Sequence, residues 1–224
     1  MGDKRMAVIW DMDGVIADTA PYHLNAWQYV FAKRGVDFTE VDFRRNFGQR
    51  NDTIIKIVLG EDITLDEIGL IADEKEKRFR KQASEFLTPL PGALDLIKSL
   101  GEYGFLQALG SSAPPENVDL VTGKLGIGRE FQAIVTGRDV EEGKPSPLGF
   151  LLAARKLGVE PRKCVVIEDA LAGVSAARKA GMRCLAVTST NQRERLGEAD
   201  LVFDSLAEVN PKHLESLLEQ NGCP

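Results

Sequence analysis

Ala7-Val8-Ile9-Trp10-Asp11-Met12-Asp13-Gly14-Val15-Ile16 is the stretch from which the rest of this 224-residue chain can be read. Four apolar residues follow a charged start and run towards Gly14, the pattern of a buried strand that ends in a tight turn. Two carboxylates, Asp11 and Asp13, therefore sit where the strand gives out. In open α/β sheets, sites gather at the carboxyl ends of strands. A carboxylate there is ionised at neutral pH, offers oxygen to a hard cation, and can attack phosphorus once the incoming charge is screened. Alone, D-x-D-G reads equally as two aspartates capping a turn. Three further stretches decide between the readings.

The bulk composition sets the frame. With 43% hydrophobic and 28% charged residues the chain is an ordinary globular sequence, long enough for one large domain or a domain with a smaller companion. A net charge of -6 counts against nucleic acid or an anionic membrane as partner. Any positive charge for a phosphate ester must then be local. No apolar run approaches transmembrane length, and Met1–Met6 carries no signal-type apolar region, so a cytoplasmic location is expected. Cys164, Cys184 and Cys223 lack metal spacing and read as thiols of a reducing compartment.

After the first strand a helix is expected from about Pro21 to Arg34, capped by Asp18 or Thr19, with His23, Trp27, Val30 and Phe31 on its apolar side. Residues from about 37 to 87 read as helical throughout, with a break at Gly48–Asn51 and Asn51 or Asp52 as a cap. On Leu65–Phe86, Asp73/Lys77, Glu74/Arg78 and Glu76/Arg80 form acid-first pairs on an exposed face. Lys75 falls on the opposite, apolar stripe, where it either snorkels to solvent or faces a bound anion. From Pro89 onward, short apolar runs (Phe105–Leu109, Phe131–Thr136, Cys164–Ile167, Arg183–Val187, Ala199–Phe203) alternate with helical segments. That alternation predicts a doubly wound parallel sheet with right-handed crossovers, interrupted after its first strand by a helical insert.

Three of the later runs end in polar residues. Ser111 follows one; it reads as a helix cap or as a hydroxyl in a phosphate cradle. Lys144 lies between Gly143 and Pro145, placed to meet a phosphate or an acyl phosphate. Glu168-Asp169 directly ends the run Val165–Ile167, and acidic groups there need partners, which a cation shared with Asp11 would supply.

The ordered set Asp11-Met12-Asp13-Gly14-Val15, Ser111, Lys144-Pro145 and Glu168-Asp169 resembles the four motifs of the haloacid dehalogenase superfamily, in the group that includes β-phosphoglucomutase and small sugar-phosphate phosphatases. The resemblance spans nearly the whole chain. It implies a core domain of residues 1–18 and 88–224 with a helical cap at 19–87. It further implies that Asp11 is the nucleophile and carries an aspartyl-phosphate, while Asp13 is the general acid and base. Mg2+ would be held by Asp11, the main-chain carbonyl of Asp13, Glu168 and Asp169. Ser111 and Lys144 would bind the transferring phosphate, and Thr19, His23, Arg50, Lys75, Ser112 and Ala113 the rest of the substrate. Asp13 counts against a true dehalogenase, and Arg50 against a phosphonatase-like member. The mutase grips its far phosphate with polar residues just after the motif serine, whereas this chain has Ser112-Ala113-Pro114-Pro115. A Mg2+-dependent phosphatase acting on a small phosphorylated metabolite as a monomer is therefore expected, with a β-phosphoglucomutase-type mutase as the alternative. A phospho-acceptor receiver-type switch shares the Asp, Ser and Lys set, but lacks an insert and phosphorylates a middle strand.

Overall fold

The computed structural model describes residues 5–219, so Met1–Lys4 and Cys223 lie outside the described residues. Strand β1 (Ala7–Trp10) is buried along its whole length. Its side chains alternate: Ala7 and Ile9 enter one apolar layer, Val8 and Trp10 the other. Strand β4 (Cys164–Glu168) repeats the pattern, with Cys164 and Val166 on one side and Val165 and Ile167 on the other. A strand apolar on both faces belongs inside a covered parallel sheet. The sheet is completed by β2 (Leu106–Gly110), β3 (Ala133–Val135), β5 (Arg183–Val187) and β6 (Leu201–Phe203), all parallel, in the order β3-β2-β1-β4-β5-β6.

Helices α5 (Ala93–Tyr103), α6 (Pro115–Leu125) and α9 (Pro211–Glu219) cover one face through Leu96, Val118 and Leu214. Helices α7 (Leu148–Leu157) and α8 (Leu171–Lys179) cover the other through Phe150 and Val174. The sequence winds outward in both directions from β1 and β4, so a crevice opens at their carboxyl ends. The Asp11 N–H bonds to the Ile167 carbonyl at 2.9 Å, which locks the two strand ends side by side. The run Phe131–Thr136 yields the shorter strand β3 because the Thr136 N–H turns to Asp139 Oδ2, 2.7 Å away.

Between β1 and α5 lie α1 (Ala20–Ala32), α2 (Glu40–Asn46), α3 (Asn51–Leu59) and α4 (Leu65–Phe86). Capping boxes start two of them, Thr39 with Asp42 and Thr64 with Glu67. Their apolar faces meet in a cluster that includes Trp27, Phe31, Phe38, Phe47, Ile54 and Ile71. Four expectations need correction here. Neither Asp18 nor Thr19 caps α1: Thr19 stands at the cap position, but its hydroxyl donates to Asp13 instead. Arg50 is the cap residue of α3, and Asn51 sends its side chain to Glu76. Glu74 leaves Arg78 for Lys33 and Arg34, which directly follow α1, because packing of α1 on α4 puts those cations closer. Glu76 is not on an exposed face; it is 5% exposed and lies beside Lys75, which is 2% exposed rather than snorkelling outward.

Among the described residues no helix is long and apolar enough to cross a membrane. One buried polar side chain knits the sheet to α5. Gln107 accepts from the Trp10 indole at 3.0 Å and donates to the Ile97 carbonyl at 2.9 Å. Gln107→Leu orphans the Trp10 indole N–H in the core, and urea denaturation is expected to show a loss of about 2 kcal/mol.

Candidate active site

Three carboxylates converge at the crevice. Asp11 follows β1, Glu168 ends β4 and Asp169 follows it; all three are buried. Lys144, on the loop between β3 and α7, reaches in to donate to Asp11 Oδ1 and, at 2.6 Å, to Glu168 Oε1. The other oxygen of Glu168 accepts from the Asp169 and Ala170 N–H groups at 2.9 and 3.0 Å. Its carboxylate can lie there because residue 173 is glycine: a Cβ would stand 1.7 Å from Oε1.

Asp169 is held by a loop that the sequence reading did not single out. Thr190 donates to its Oδ2, Asn191 donates to its carbonyl at 3.1 Å, and Ser189 donates to the carbonyl of Gly14. Gly14 itself has φ +79, and a Cβ there would fall 2.2 Å from Asp169 Oδ2. The available signal was position: Thr188–Asn191 directly follows the apolar run of β5, so it too is a strand end. The remaining oxygen, Asp169 Oδ1, is buried with no hydrogen-bond partner among the described residues.

Ligand oxygens of Asp11, Glu168 and Asp169 lie within 4.8 Å of one another. Three buried carboxylates face a single ammonium, so the cluster is short of positive charge. Burial pushes the Asp11 carboxyl up, Lys144 pulls it down, and Glu168 and Asp13 raise it again, leaving it at about 8. Burial first, then Glu168 and Asp11, hold Asp169 well above the usual range. Burial works against the Lys144 ammonium, but Asp11 and Glu168 outweigh it and stabilise the charge. An orphaned oxygen, an all-oxygen donor set and excess negative charge fit a hard divalent cation. The Asp13 side chain is not part of this cluster.

Asp13 instead belongs to a second group. Its Oδ1 accepts from Thr19 Oγ1 at 2.6 Å and lies 3.2 Å from His23 Nε2. Burial would raise its pKa, yet His23 and Thr19 more than offset that and hold it below the usual range. His23 Nδ1 meets Lys75 Nζ at 2.9 Å, and Lys75 donates to Glu76 Oε1 at 2.7 Å. For Glu76 burial again opposes ionisation, but Lys75 above all brings the carboxyl down to about 2.

Asp11, Asp13, His23, Lys75, Ser112 and Ala113 line one cavity of about 40 Å3, walled also by Trp27 and Phe47. Ser111 and Lys144 line a smaller neighbouring one. The Ser111 hydroxyl does not cap α6, whose cap position is Pro114; it accepts from the Ala113 N–H at 3.1 Å. Arg50 is absent from the first cavity. Its guanidinium pairs with Asp52 at 3.0 Å and donates to the carbonyls of Val140 and Glu141 at 2.8 and 3.0 Å, bracing α3 against the loop that carries Lys144.

This geometry, buried carboxylates and a lysine gathered at strand ends of a parallel sheet with a helical insert after β1, has known counterparts. The family model of the haloacid dehalogenase-like hydrolases matches residues 6–181. The chain belongs to that family. Fructose-1-phosphate phosphatase YqaB of Escherichia coli is 33% identical over 186 residues, covering 81% of this chain and 96% of that protein. The crystal structure of β-phosphoglucomutase from Clostridium difficile superposes with a TM-score of 0.88 at 29% identity, over 97% of this chain and 98% of that one. Protein SUPPRESSOR OF QUENCHING 1 of Arabidopsis thaliana is 36% identical over 217 residues, 92% of this chain, which spans only 20% of the plant protein. Haloacid dehalogenase-like hydrolases of the β-phosphoglucomutase type thus give the fold and the enzyme class, and the cluster of Asp11, Glu168 and Asp169 could hold a divalent metal.

Two outcomes follow from the carboxylate cluster. A carboxyl raised to about 8 contributes stability that is present below its unfolded value of 3.8 and is lost as pH rises towards 8. Asp11→Asn is therefore expected to raise the melting temperature of the metal-free protein at pH 7 by about 3 °C or more, read by calorimetry. A divalent cation added at pH 7 is expected to displace protons from the cluster and to bind more weakly as pH falls. Titration calorimetry in two buffers of different ionisation enthalpy measures that release.

Proposed function

We propose that this chain is a Mg2+-dependent phosphatase that hydrolyses a small phosphate monoester, a sugar phosphate by class, through an aspartyl-phosphate on Asp11. On this reading residues 19–87 are a cap over a core of 1–18 and 88–224. Asp11, the Asp13 carbonyl, Glu168 and Asp169 would hold the metal, which when bound screens the phosphate's charge and orients it for attack. An oxygen of Asp11 attacks phosphorus, the ester P–O bond breaks, and Asp13 delivers a proton to the departing alkoxide. Asp13 then takes a proton from water as it attacks the acyl phosphate, and the P–O bond to Asp11 breaks to release phosphate. Lys144 and Ser111 offset charge on the transferring group. Holding Asp13 below the usual carboxylate range suits the second, base-catalysed half.

The supporting observation is the distribution of positive charge. A mutase must seat a bisphosphate and so needs a cation at the end of the cavity away from Asp11. Lys75 is matched there by Glu76, Arg50 is spent on Asp52 and two carbonyls, and Ser112–Pro115 offers no charged side chain. The mutase reading draws on the likeness to β-phosphoglucomutase over nearly the full chain. Fructose 1-phosphate enters as a substrate to try, through the phosphatase YqaB. A cavity of about 40 Å3 holds a few waters, whereas a site that encloses a ligand runs to about 300 Å3 or more, so the cap has to open for entry.

The deciding assay incubates the protein with Mg2+, β-glucose 1-phosphate and a trace of glucose 1,6-bisphosphate, quantifies glucose 6-phosphate and free phosphate, and uses Asp11→Asn as blank. Free phosphate in excess is expected, there or with fructose 1-phosphate in a parallel tube. Glucose 6-phosphate far above free phosphate makes the enzyme a mutase.

A further inference from the structure

Glu76 is out of place by its sequence register and has no part in the chemistry above. Three donors converge on its carboxylate: Lys75 Nζ and Asn51 Nδ2 on Oε1 at 2.7 and 2.8 Å, and Asn117 Nδ2 on Oε2 at 2.6 Å. Asn117 belongs to α6 and comes from across the interface with α4. Its amide orientation is set from the far side, because Arg80 donates to its Oδ1 at 3.0 Å. Arg80, the expected partner of Glu76 on an exposed face, therefore reaches it only through Asn117.

We propose that Glu76 is a positioning residue that, through Lys75, fixes the His23 ring with its Nε2–H aimed at Asp13. The proposal rests on the reading of Asp13 as acid and base. An ammonium has donors only, so the 2.9 Å contact of Lys75 Nζ makes His23 Nδ1 an acceptor. The neutral ring then carries its hydrogen on Nε2, which faces Asp13 Oδ1 at 3.2 Å. Stacking of the ring on Phe79, 4.0 Å between centroids, holds its plane, and Lys75 selects which nitrogen carries hydrogen. Buried between Trp27 and Phe79, the Lys75 ammonium is held in place by the carboxylate beside it. Glu76 is that carboxylate. With Thr19 and His23 both donating to Oδ1, Oδ2 becomes the Asp13 oxygen left for proton traffic. Without Glu76 the ring is free to carry hydrogen on Nδ1, and its Nε2 lone pair would then oppose the carboxylate.

The chain has only two histidines, so the imidazoles can be read directly. Uniformly 15N-labelled protein gives a long-range proton–nitrogen correlation spectrum, and His213→Asn assigns the His23 signals. The wild type is expected to show His23 protonated at Nε2 alone. Glu76→Gln, folded by circular dichroism, is expected to lose that single-tautomer pattern. On p-nitrophenyl phosphate with Mg2+ the same variant is expected to lose about tenfold or more in kcat, with KM within about twofold. A proton on Nδ1 in the wild type overturns the proposal with no variant needed, and so does an unchanged His23 pattern in Glu76→Gln. Absence of p-nitrophenyl phosphate turnover in the wild type counts against the phosphatase reading and leaves the tautomer result to decide this one.

Discussion

The arrangement on which everything else depends is one ammonium held among buried carboxylates. Lys144 touches both Asp11 and Glu168, and Asp169 stands beside them with one oxygen unbonded among the described residues. Such a cluster is expensive in isolation, because burying charge without full compensation opposes folding. The fold supplies a rigid frame for it. Two adjacent strand ends, a loop lysine and two glycines without which Cβ atoms would collide with the carboxylates leave little freedom to relax. The instability is local, and a dication bound there would supply the missing charge.

Around this centre the polar groups sort into two circuits. One runs from Lys144 through Asp11, Glu168 and Asp169 to Thr190, and is built from strand ends and the loops that follow strands. The other runs from Asp13 through His23, Lys75 and Glu76 to Asn117, and crosses from helices α1 and α4 to α6. Asp11 and Asp13 are two residues apart yet enter different circuits, because β1 ends at Trp10 and the chain turns between them, so the shared face that two strand residues so spaced would have is lost. On the proposed reading a nucleophile and an acid–base group need different surroundings, and one short segment would supply both.

Much of this was legible in sequence. The sheet could be read because strands apolar on both faces are continuous hydrophobic runs, as in Cys164–Ile167, and the strand-end residues could be read because they terminate those runs. The partners of individual side chains could not. Glu76 fits an outward pair with Arg80 by helical spacing, but spacing carries no information about Asn117 on a helix distant in sequence. Thr190 and Asn191 were missed for a related reason: nothing in their residue types distinguishes an Asp-binding loop from an ordinary polar turn. Arg50 was readable as a cation near the site, but its commitment to Val140 and Glu141 depends on a loop ninety positions later.

The way Arg50 fastens α3 to that loop also bears on how the protein can vary. On the far side it grips main-chain carbonyls only, so the side chains at 140 and 141 take no part in the fastening. Replacement of those residues is tolerable so long as the path of the backbone is kept. An added or deleted residue, by contrast, would carry both acceptors out of reach and shift Lys144 with them. At those two positions the loop is thus permissive in composition, while its length is strict.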